Sequence, residues 1–544
     1  MKKLLSMMLI LAMTVGLLSA CGNSNQSTTA ATTTANSTTQ SGGNETQPAA
    51  TEPHGTMVYA LTNSWGSLNP YHIVNYTGTN VHDKLWETLY SIDEEGNLVN
   101  RSCESYEVQE DGKVYIIHLR KDVKWHDGEP VTAADWEFAA RLLADPAVTG
   151  MAGKTYPANL SGVDASGNIV ETEPFGLVAT DDYTLKFTLD NPLNYNLFML
   201  NYSRFYHPLP KHLLDGKMTG ANFVENEFWL NPVGCGPFKF VSTTPGEEVV
   251  FVANENFYYH VQIKNLIIRK VAAASLASSI ISGDIDCTTA VDLNDLEELR
   301  AASGVTVRKA NQTEYVYCHI NNALCSKEVR QAINLAIDKQ QIINTVLNGE
   351  GVPAETPINP ASPLCGVDCT STRDVAKAKE LLAAAGWDSN TVITMATPSD
   401  FREDIALIMQ QNLAEVGVQL KLVSCDQTAM QAGLKDGTYQ MGMQTWGMHY
   451  QNPTYFQICQ TPGSSINLSF IDYDDYANYC HQIDAAQDST ELYNLVQEYI
   501  KYMLEDMGHI GIAHRNSYAA WSANVINGPT ASSHDLSWEW TVKD

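Results

Sequence analysis

Between Val392 and Trp446 the chain repeats one pattern, and that pattern limits the folds open to it. Val392 to Ala396 is a short apolar run. Arg402 to Val416 places apolar residues at helical spacing and is closed by Gly417. Val418 to Ser424 reads as a second strand, Gln427 to Leu434 as a second helix and Tyr439 to Trp446 as a third strand. The segment therefore predicts an α/β unit built on a largely parallel sheet. Ser326 caps a long helix ahead of it, with Val329, Ile333, Ala336 and Ile337 on one face and an end near Gly349. Another helix runs from about Arg373 to Ala385, closed by Gly386. A last long one, about Thr490 to Met507, precedes an extended C-terminal segment.

The earlier part of the chain is richer in short strands. Val114 to Arg120 alternates apolar and polar residues, as a half-buried strand does, and Asp127-Gly128 makes a turn. Thr132 is placed to cap the next helix, with Asp135 three residues on as its capping-box partner. Asp145-Pro146 ends that helix. More strands follow between Asn231 and Tyr258, where Pro232, Gly234, Gly236 and Pro237 force a turn.

The N-terminus reads as an address. Lys2 and Lys3 precede an apolar run from Leu4 to Leu18, too short to span a bilayer comfortably and flanked like a secretory signal. Leu18-Ser19-Ala20-Cys21 resembles the lipobox of bacterial lipoproteins, so residues 1–20 are expected to be removed and Cys21 to carry diacylglycerol. More than one acyl chain is needed for stable anchoring, and a diacylglyceryl group supplies two. Residues 21–55 are rich in Ser, Thr, Asn, Gln and Gly, too poor in apolar side chains to pack a core. As a flexible tether of roughly 33 residues, the stretch reaches about 30 Å. These features place the protein outside the cytoplasm, anchored to the outer face of the cell membrane, with a Gram-positive type of surface favoured.

With 544 residues, two or three structural units are expected. Acidic residues outnumber basic ones 62 to 33, for a formal charge of -29. Nucleic acid is excluded as a partner, because binding phosphates requires clustered Lys and Arg. Of eleven cysteines, ten remain after Cys21, scattered and without a C-x-x-C pair. Cys365 and Cys369 are the closest, and either a local disulfide or two small buried thiols fits them.

Six blocks, in order, resemble the extracellular solute-binding proteins of the oligopeptide, dipeptide and nickel transporter family (family 5). Asp83 to Tyr90 is similar to the family's first helix. Val108 to Pro146 is the most specific block, with L-R-K-D-V-K-W-H-D-G-E-P-V-T-A-A-D-W at its centre. Asn231 to Phe240 matches the N-P-V-G-T-G-P-Y turn, with Cys235 in place of Thr. Ser282 to Asp286, Val329 to Asp338 and Ala378 to Trp387 complete the series.

That resemblance implies an α/β, two-lobed periplasmic-binding-protein type II fold with an additional domain inserted in the first lobe. The first lobe would comprise residues 56–88, 205–315 and 516–544, the insertion 89–204 and the second lobe 316–515. The chain would cross between lobes near Glu314 to Asn321 and near Gly511 to Tyr518. A small or oligomeric solute, oligopeptide-like or an oligosaccharide, would bind in the cleft, and the lobes would close on it by hinge motion. The implied partners are the permease subunits of an ABC importer with their cytoplasmic ATPases. The binding protein itself is expected to be a monomer, without cofactor, metal or enzymatic activity. Ligands of open α/β sheets bind beyond the carboxyl ends of strands. The expected contacts are therefore Trp446, Met448, His449, Tyr450 and Asn452 at the end of the third strand. Across the cleft they are Asn63 and Trp65 after the first strand, with Tyr76 and Thr77 in the loop before the first helix.

The chain departs from the dipeptide binders at two points. Where those place an acidic residue for the peptide's amino group, this loop has His449 and Asn452 and no carboxylate. Where they place an Arg for the peptide's carboxylate, Ala396 and Thr397 stand, with Arg402 at the start of a helix. A buried charge without a partner costs several kcal/mol, which argues against simple dipeptides. Enzyme motifs are lacking: there is no H-E-x-x-H and no G-x-S-x-G. Gly150 to Thr155 imitates a phosphate-binding loop, but Val148 replaces the required Gly and Tyr156-Pro157 opposes a following helix. A second class of function, a surface lipoprotein reporting a ligand to a membrane receptor, fits the same features.

Overall fold

The computed structural model describes residues 52–543, except 73–75, 93–97, 150–158, 204–205, 370–371, 449–453, 455, 457–458, 463, 465 and 531–535. The expected signal sequence, Cys21 and most of the expected tether thus lie outside the described residues. So do Gly150 to Thr155, and His449, Tyr450 and Asn452.

The strand–helix alternation is present as expected: Val392–Thr397, helix Phe401–Ala414, Gln419–Ser424, helix Gln427–Lys435, Met441–Met448. Both helices are capped by the aspartate before them. Asp400 accepts from the Arg402 N–H at 3.0 Å and Asp426 from the Ala429 N–H at 2.9 Å. Gly417, at φ 85°, allows the left-handed turn that ends the first.

These strands form one end of an eleven-stranded sheet. Its order is Gln419–Ser424, Val392–Thr397, Met441–Met448, Thr306–Ile320, Ile510–Trp521, Cys287–Thr288, His54–Leu61, Ile263–Lys270, Glu248–Ala253, Phe238–Thr244, with Gly351–Pro353 on the side of Ile510–Trp521. The expectation of a largely parallel sheet needs correction. Val392–Thr397 is parallel to both its neighbours, and His54–Leu61 to both of its own. The long strands Thr306–Ile320 and Ile510–Trp521 between them pair antiparallel to each other and to every other partner. They come from distant parts of the chain, and no local crossover constrains their direction. Their register shifts between Lys309 and Thr313, the irregularity of a β-bulge, which bends a strand.

Thr306–Ile320 separates two cores. Val316, Cys318 and Ile320 face the apolar cluster under the helices Lys327–Ala336 and Phe401–Ala414. Tyr315 and Tyr317, on the alternate positions, face a small aromatic cluster with Phe456 and Cys459. The largest core gathers His54–Leu61, the strands beyond it and a separate four-stranded antiparallel sheet, Cys103–Gln109, Val114–Leu119, Thr184–Thr188 and Leu177–Asp181.

Helix Ala133–Leu143 packs on that small sheet through Trp136, Ala139, Ala140 and Leu143. Its capping box forms as read: the Thr132 N–H donates to Asp135 Oδ2 at 2.8 Å, and Asp135 Oδ1 also accepts from the Lys211 N–H at 3.0 Å. The Thr132 hydroxyl donates to the same Asp135 oxygen at 3.1 Å, and Thr132→Ala, which removes that bond, should cost about 1 kcal/mol of stability, read from the shift of the denaturation midpoint. An unchanged midpoint would show that the cap contributes nothing.

Two further expectations are corrected. The long helix from Ser326 is two helices, Lys327–Ala336 and Lys339–Thr345. Ile337 takes an extended conformation (ψ 128°), and Asp338 caps the second helix, accepting from the Gln341 N–H at 2.8 Å. The first helix is Tyr76–Leu85, so Tyr76 and Thr77 open it instead of lying in the loop before it. Beyond Leu85 the block Asp83 to Tyr90 runs on without helix into the strand Tyr90–Ile92.

The reason the chain stays close at Leu85 is the turn Asn231 to Phe240. A Cβ on Gly234 would stand 2.0 Å from the Leu85 carbonyl oxygen, and one on Gly236 2.7 Å from that of Lys84. His126 clasps the same turn: its Nδ1 accepts from the Gly234 N–H at 3.2 Å and its Nε2 lies 3.0 Å from the Gly236 carbonyl. Three blocks far apart in sequence thus meet as one structural unit.

Candidate functional site

Three strands place the candidate site. Across the sheet Tyr315 lies opposite Trp446 on one side and His514 on the other, and in the next row Tyr317 faces Gln444. Side chains opposite each other share a face, so one face carries Trp446, Tyr315, His514, Tyr317, Gln444 and His319. Tyr315 and Tyr317 stack at 5.2 Å and 7°, and Phe456 stands edge-on to both, at 5.5 and 4.8 Å. Trp446 meets Phe456 edge-on at 6.0 Å and is half-buried, whereas Tyr315 and Tyr317 are fully enclosed. The arrangement is a rigid aromatic platform whose outermost ring is partly open, suited to an apolar or planar part of a ligand.

A polar chain holds the platform from behind. His509 Nε2 lies 2.8 Å from the Tyr315 hydroxyl, and its Nδ1 lies 3.2 Å from Gln460 Nε2, which is placed to donate to it. The Tyr499 hydroxyl donates to Gln460 Oε1 at 2.9 Å. His319 lies between Ser469 Oγ at 3.0 Å and Gln444 Oε1 at 3.1 Å. Burial drives the imidazole of His319 down to about 4 and that of His509 to about 3, so both are neutral at physiological pH. Burial pushes the Cys459 thiol up to about 12. A thiol so far from ionising is a poor nucleophile, and the cluster reads as structural polar packing. Among the described residues no group of three or more His, Cys, Asp and Glu is placed to hold a metal ion.

Sequence reasoning named one member of this platform, Trp446. The strand is displaced by two residues from its expected bounds, so Met448 is its last residue, opposite Thr313. His449, Tyr450 and Asn452 follow immediately, outside the described residues. Asn63 is exposed just beyond His54–Leu61, while Trp65 is enclosed (1% exposed) and belongs to the largest core. Tyr76 and Thr77 lie in the first turn of their helix. The Asn63 and Trp446 groups sit on strands of one sheet separated by three others. The residues that sequence reasoning missed, Tyr315, Tyr317 and Phe456, carried one legible signal: Y-V-Y-C-H alternates aromatic and polar residues with small and apolar ones at the period of a strand.

The departures from dipeptide binders have structural counterparts. Ala396 and Thr397 are fully buried. Arg402 is nearly buried and already engaged by Asp400, at 2.9 Å from Nε and 2.6 Å from Nη2. Cys365 and Cys369 are both free thiols, their sulfurs 3.5 Å apart.

The family of bacterial extracellular solute-binding proteins, family 5, described for its middle region, matches residues 97–465. The oligopeptide-binding protein AppA of Bacillus subtilis is 27% identical over 451 residues, covering 77% of this chain and 75% of its own length. The dipeptide-binding protein of Lactococcus lactis is 25% identical over 468 residues, covering 78% and 82%. The solved structure of Bacillus subtilis AppA in complex with a nonapeptide superposes with a TM-score of 0.75 at 22% identity, covering 91% of this chain and 100% of that one. The likeness shows the fold: α/β, two-lobed, of the periplasmic-binding-protein type II, with the additional domain in the first lobe.

Proposed function

The chain belongs to the bacterial extracellular solute-binding proteins of family 5, whose members are binding components of transporters and not enzymes; from that premise we propose that it captures peptides longer than dipeptides and delivers them to an ABC importer. The observation that carries the peptide class is the platform of Tyr315, Tyr317 and Phe456 with Trp446 half-open at its rim. Trp446, backed by these buried rings, offers aromatic surface to a side chain, while Arg402 is tied up by Asp400 and Ala396 and Thr397 carry no charge for a terminal carboxylate. A dipeptide would bury both its charges close together. A longer chain can be held through its backbone and through side chains, with one or both ends elsewhere.

In this reading the first lobe comprises residues 56–88, 205–315 and 516–544, the second lobe 316–515, and residues 89–204 are inserted in the first. The long strands Thr306–Ile320 and Ile510–Trp521 are the crossings, and the bulge after Lys309 is where closure bends them. Solute touching both lobes favours the closed form, since a ligand shifts an equilibrium only by its differential affinity. Cys21 carries the lipid, the tether holds the body near its permease, and proximity in one membrane raises the effective concentration.

A thermal-shift screen against pools of di-, tetra- and hexapeptides and against oligosaccharides tests the reading. Saturation at about 100 times Kd adds about 2.7 kcal/mol to stability, and only the longer peptides are expected to do so. Trp446→Ala should weaken the peptide so found at least tenfold, with the unliganded melting curve nearly unchanged. Stabilisation by oligosaccharides alone would replace the peptide reading, and unchanged affinity would remove Trp446 from the site.

A further inference from the structure

The loop between Gly351–Pro353 and the helix Val375–Ala384 carries two thiols in contact. Cys365 and Cys369 are both reduced, with their sulfurs 3.5 Å apart. No helix or strand fixes residues 354–369. The loop is held by its neighbours instead. Gln497, on the helix Ser489–Asp506, accepts from the Gly366 N–H at 2.8 Å through Oε1 and donates to the Leu364 carbonyl at 2.5 Å through Nε2. Where the loop begins, it backs the aromatic platform: His514 Nε2 donates to the Thr356 carbonyl at 3.0 Å, and Ala354 belongs to the platform's cluster.

The two sulfurs differ in access. Cys369 is 4% exposed and shares a small apolar core with Ile358, Val496 and Tyr499. Burial pushes its thiol up to about 12, with the Thr356 hydroxyl pulling it partway back, so it ionises poorly on its own. Cys365 is half-buried, and its thiol donates to the Val367 carbonyl at 3.6 Å. Other buried thiols have neighbours that form no such bond: Cys318 meets the sulfurs of Met409 and Met443, and Cys459 the Tyr317 hydroxyl. Bringing Cys365 and Cys369 to a bonded distance of about 2.05 Å takes a shift of about 1.5 Å, within reach of a loop that no ladder of hydrogen bonds restrains. Disulfides form and persist outside the cytoplasm, where this chain is expected to work.

We propose that Cys365 and Cys369 are a reversible dithiol–disulfide pair, oxidised by a small-molecule disulfide, and that the bond locks the loop in the shape that seats it on Gln497 and behind the platform. Cys365 is the entry point. Its thiol gives a proton to solvent, and the thiolate attacks one sulfur of the oxidant. The oxidant's S–S bond breaks, and one of its halves leaves as a thiolate and takes up a proton. Cys369 then loses its proton to solvent and attacks Cys365 Sγ, and the second half leaves in the same way. Two protein thiols are oxidised to one disulfide, and one small-molecule disulfide is reduced to two thiols. The inference is independent of the peptide reading above.

Peptide mapping of the full chain, treated folded with glutathione disulfide and then alkylated in denaturant, decides it. Trypsin cuts after Lys339 and Arg373, so one peptide, residues 340–373, carries both cysteines and no third. From the oxidised protein this peptide should come without alkyl groups and lighter by two hydrogen atoms than its reduced form. Dithiothreitol before alkylation should give it two alkyl groups. Cys369→Ser should trap a glutathione on Cys365, whereas Cys365→Ser should leave the buried Cys369 unmodified. Hydrogen exchange over residues 359–369 should slow by roughly threefold or more on oxidation, and the oxidant should leave it unchanged in the double variant Cys365→Ser/Cys369→Ser. Two alkyl groups after oxidation, or a glutathione retained on the wild-type peptide, would overturn the pairing. Modification of Cys369 in Cys365→Ser would overturn the order of attack. Equal exchange in the oxidised and reduced wild-type protein would overturn the locking of the loop. The wild-type readouts need no variant, so a folding defect in either serine variant leaves the pairing and the locking testable.

Discussion

Lowering the pH from 7 to 5 is expected to remove roughly 4–6 kcal/mol of folding stability, because four histidines are buried without charge. His82, His319 and His514 are held down to about 4 and His509 to about 3, in every case by burial. Each of these four is at most 4% exposed; the partly exposed His126, also held down to about 4 by burial, acts in the same direction. In the unfolded chain they titrate near 6.5, so below that pH the unfolded state binds protons that the folded state refuses. Stability is therefore fully present above about 6.5 and is lost as the pH falls towards 4. Over this interval each histidine accounts for about 2 kcal/mol. Asp484 acts in the opposite direction: a carboxyl raised to about 7 favours the folded state on acidification, by about 2 kcal/mol. Glu87, raised by burial against the pull of Arg101, adds to that offset. Urea midpoints at pH 7, 6 and 5 should fall most steeply below 6.5. His509→Gln should flatten the curve, since an amide can keep the bond to Tyr315. Equal midpoints at pH 7 and 5 would show that these histidines accept protons in the folded state.

How much of this was legible depended on the range of the interactions. Helix starts were legible to within a residue or two, because the carboxylates that satisfy them, Asp135, Asp374, Asp400 and Asp488, accept from N–H groups two or three residues away. Strands with alternating residues and the Gly-closed helices were legible for the same reason. The direction of Thr306–Ile320 was not, since its partners lie some 120 to 210 residues onward. The helix Asp475–Ala485 went unread although Tyr476, Ala477, Cys480 and Ile483 are spaced for one buried face. At the candidate site, Trp446 could be found because a strand end is a local feature. Phe456 could not, because only the fold brings it against Tyr315 and Trp446.

The break at Ile337 has a long-range cause, and that cause predicts the second large effect. Directly after the break, Lys339 is 3% exposed, and its ammonium has three acceptors: Glu355, the Asn334 side-chain oxygen at 2.8 Å and the Ala354 carbonyl at 2.9 Å. Asn334 Nδ2 in turn donates to Glu355 Oε2 at 2.6 Å. One continuous helix would carry Lys339 away from this arrangement. Lys339→Met should cost about 3–5 kcal/mol, because Glu355 is left buried and charged without its partner. Adding Glu355→Met should recover most of that loss, since a buried pair replaced by apolar groups is often neutral. The recovery should fall short by about 1–3 kcal/mol, because Asn334 then lacks its acceptor. Additive costs in the two single variants and the double variant would show that the pair is not coupled. The consequence for binding follows from Ala354, which packs against Tyr315 and Phe456. Without the Lys339 bond to its carbonyl, the platform under Trp446 loses a support. Lys339→Met should thus weaken peptide binding although Lys339 is not among the platform residues, and the double variant, in which the Ala354 carbonyl still lacks that bond and only its N–H is held, by Ile512, should stay weak in binding while it regains stability.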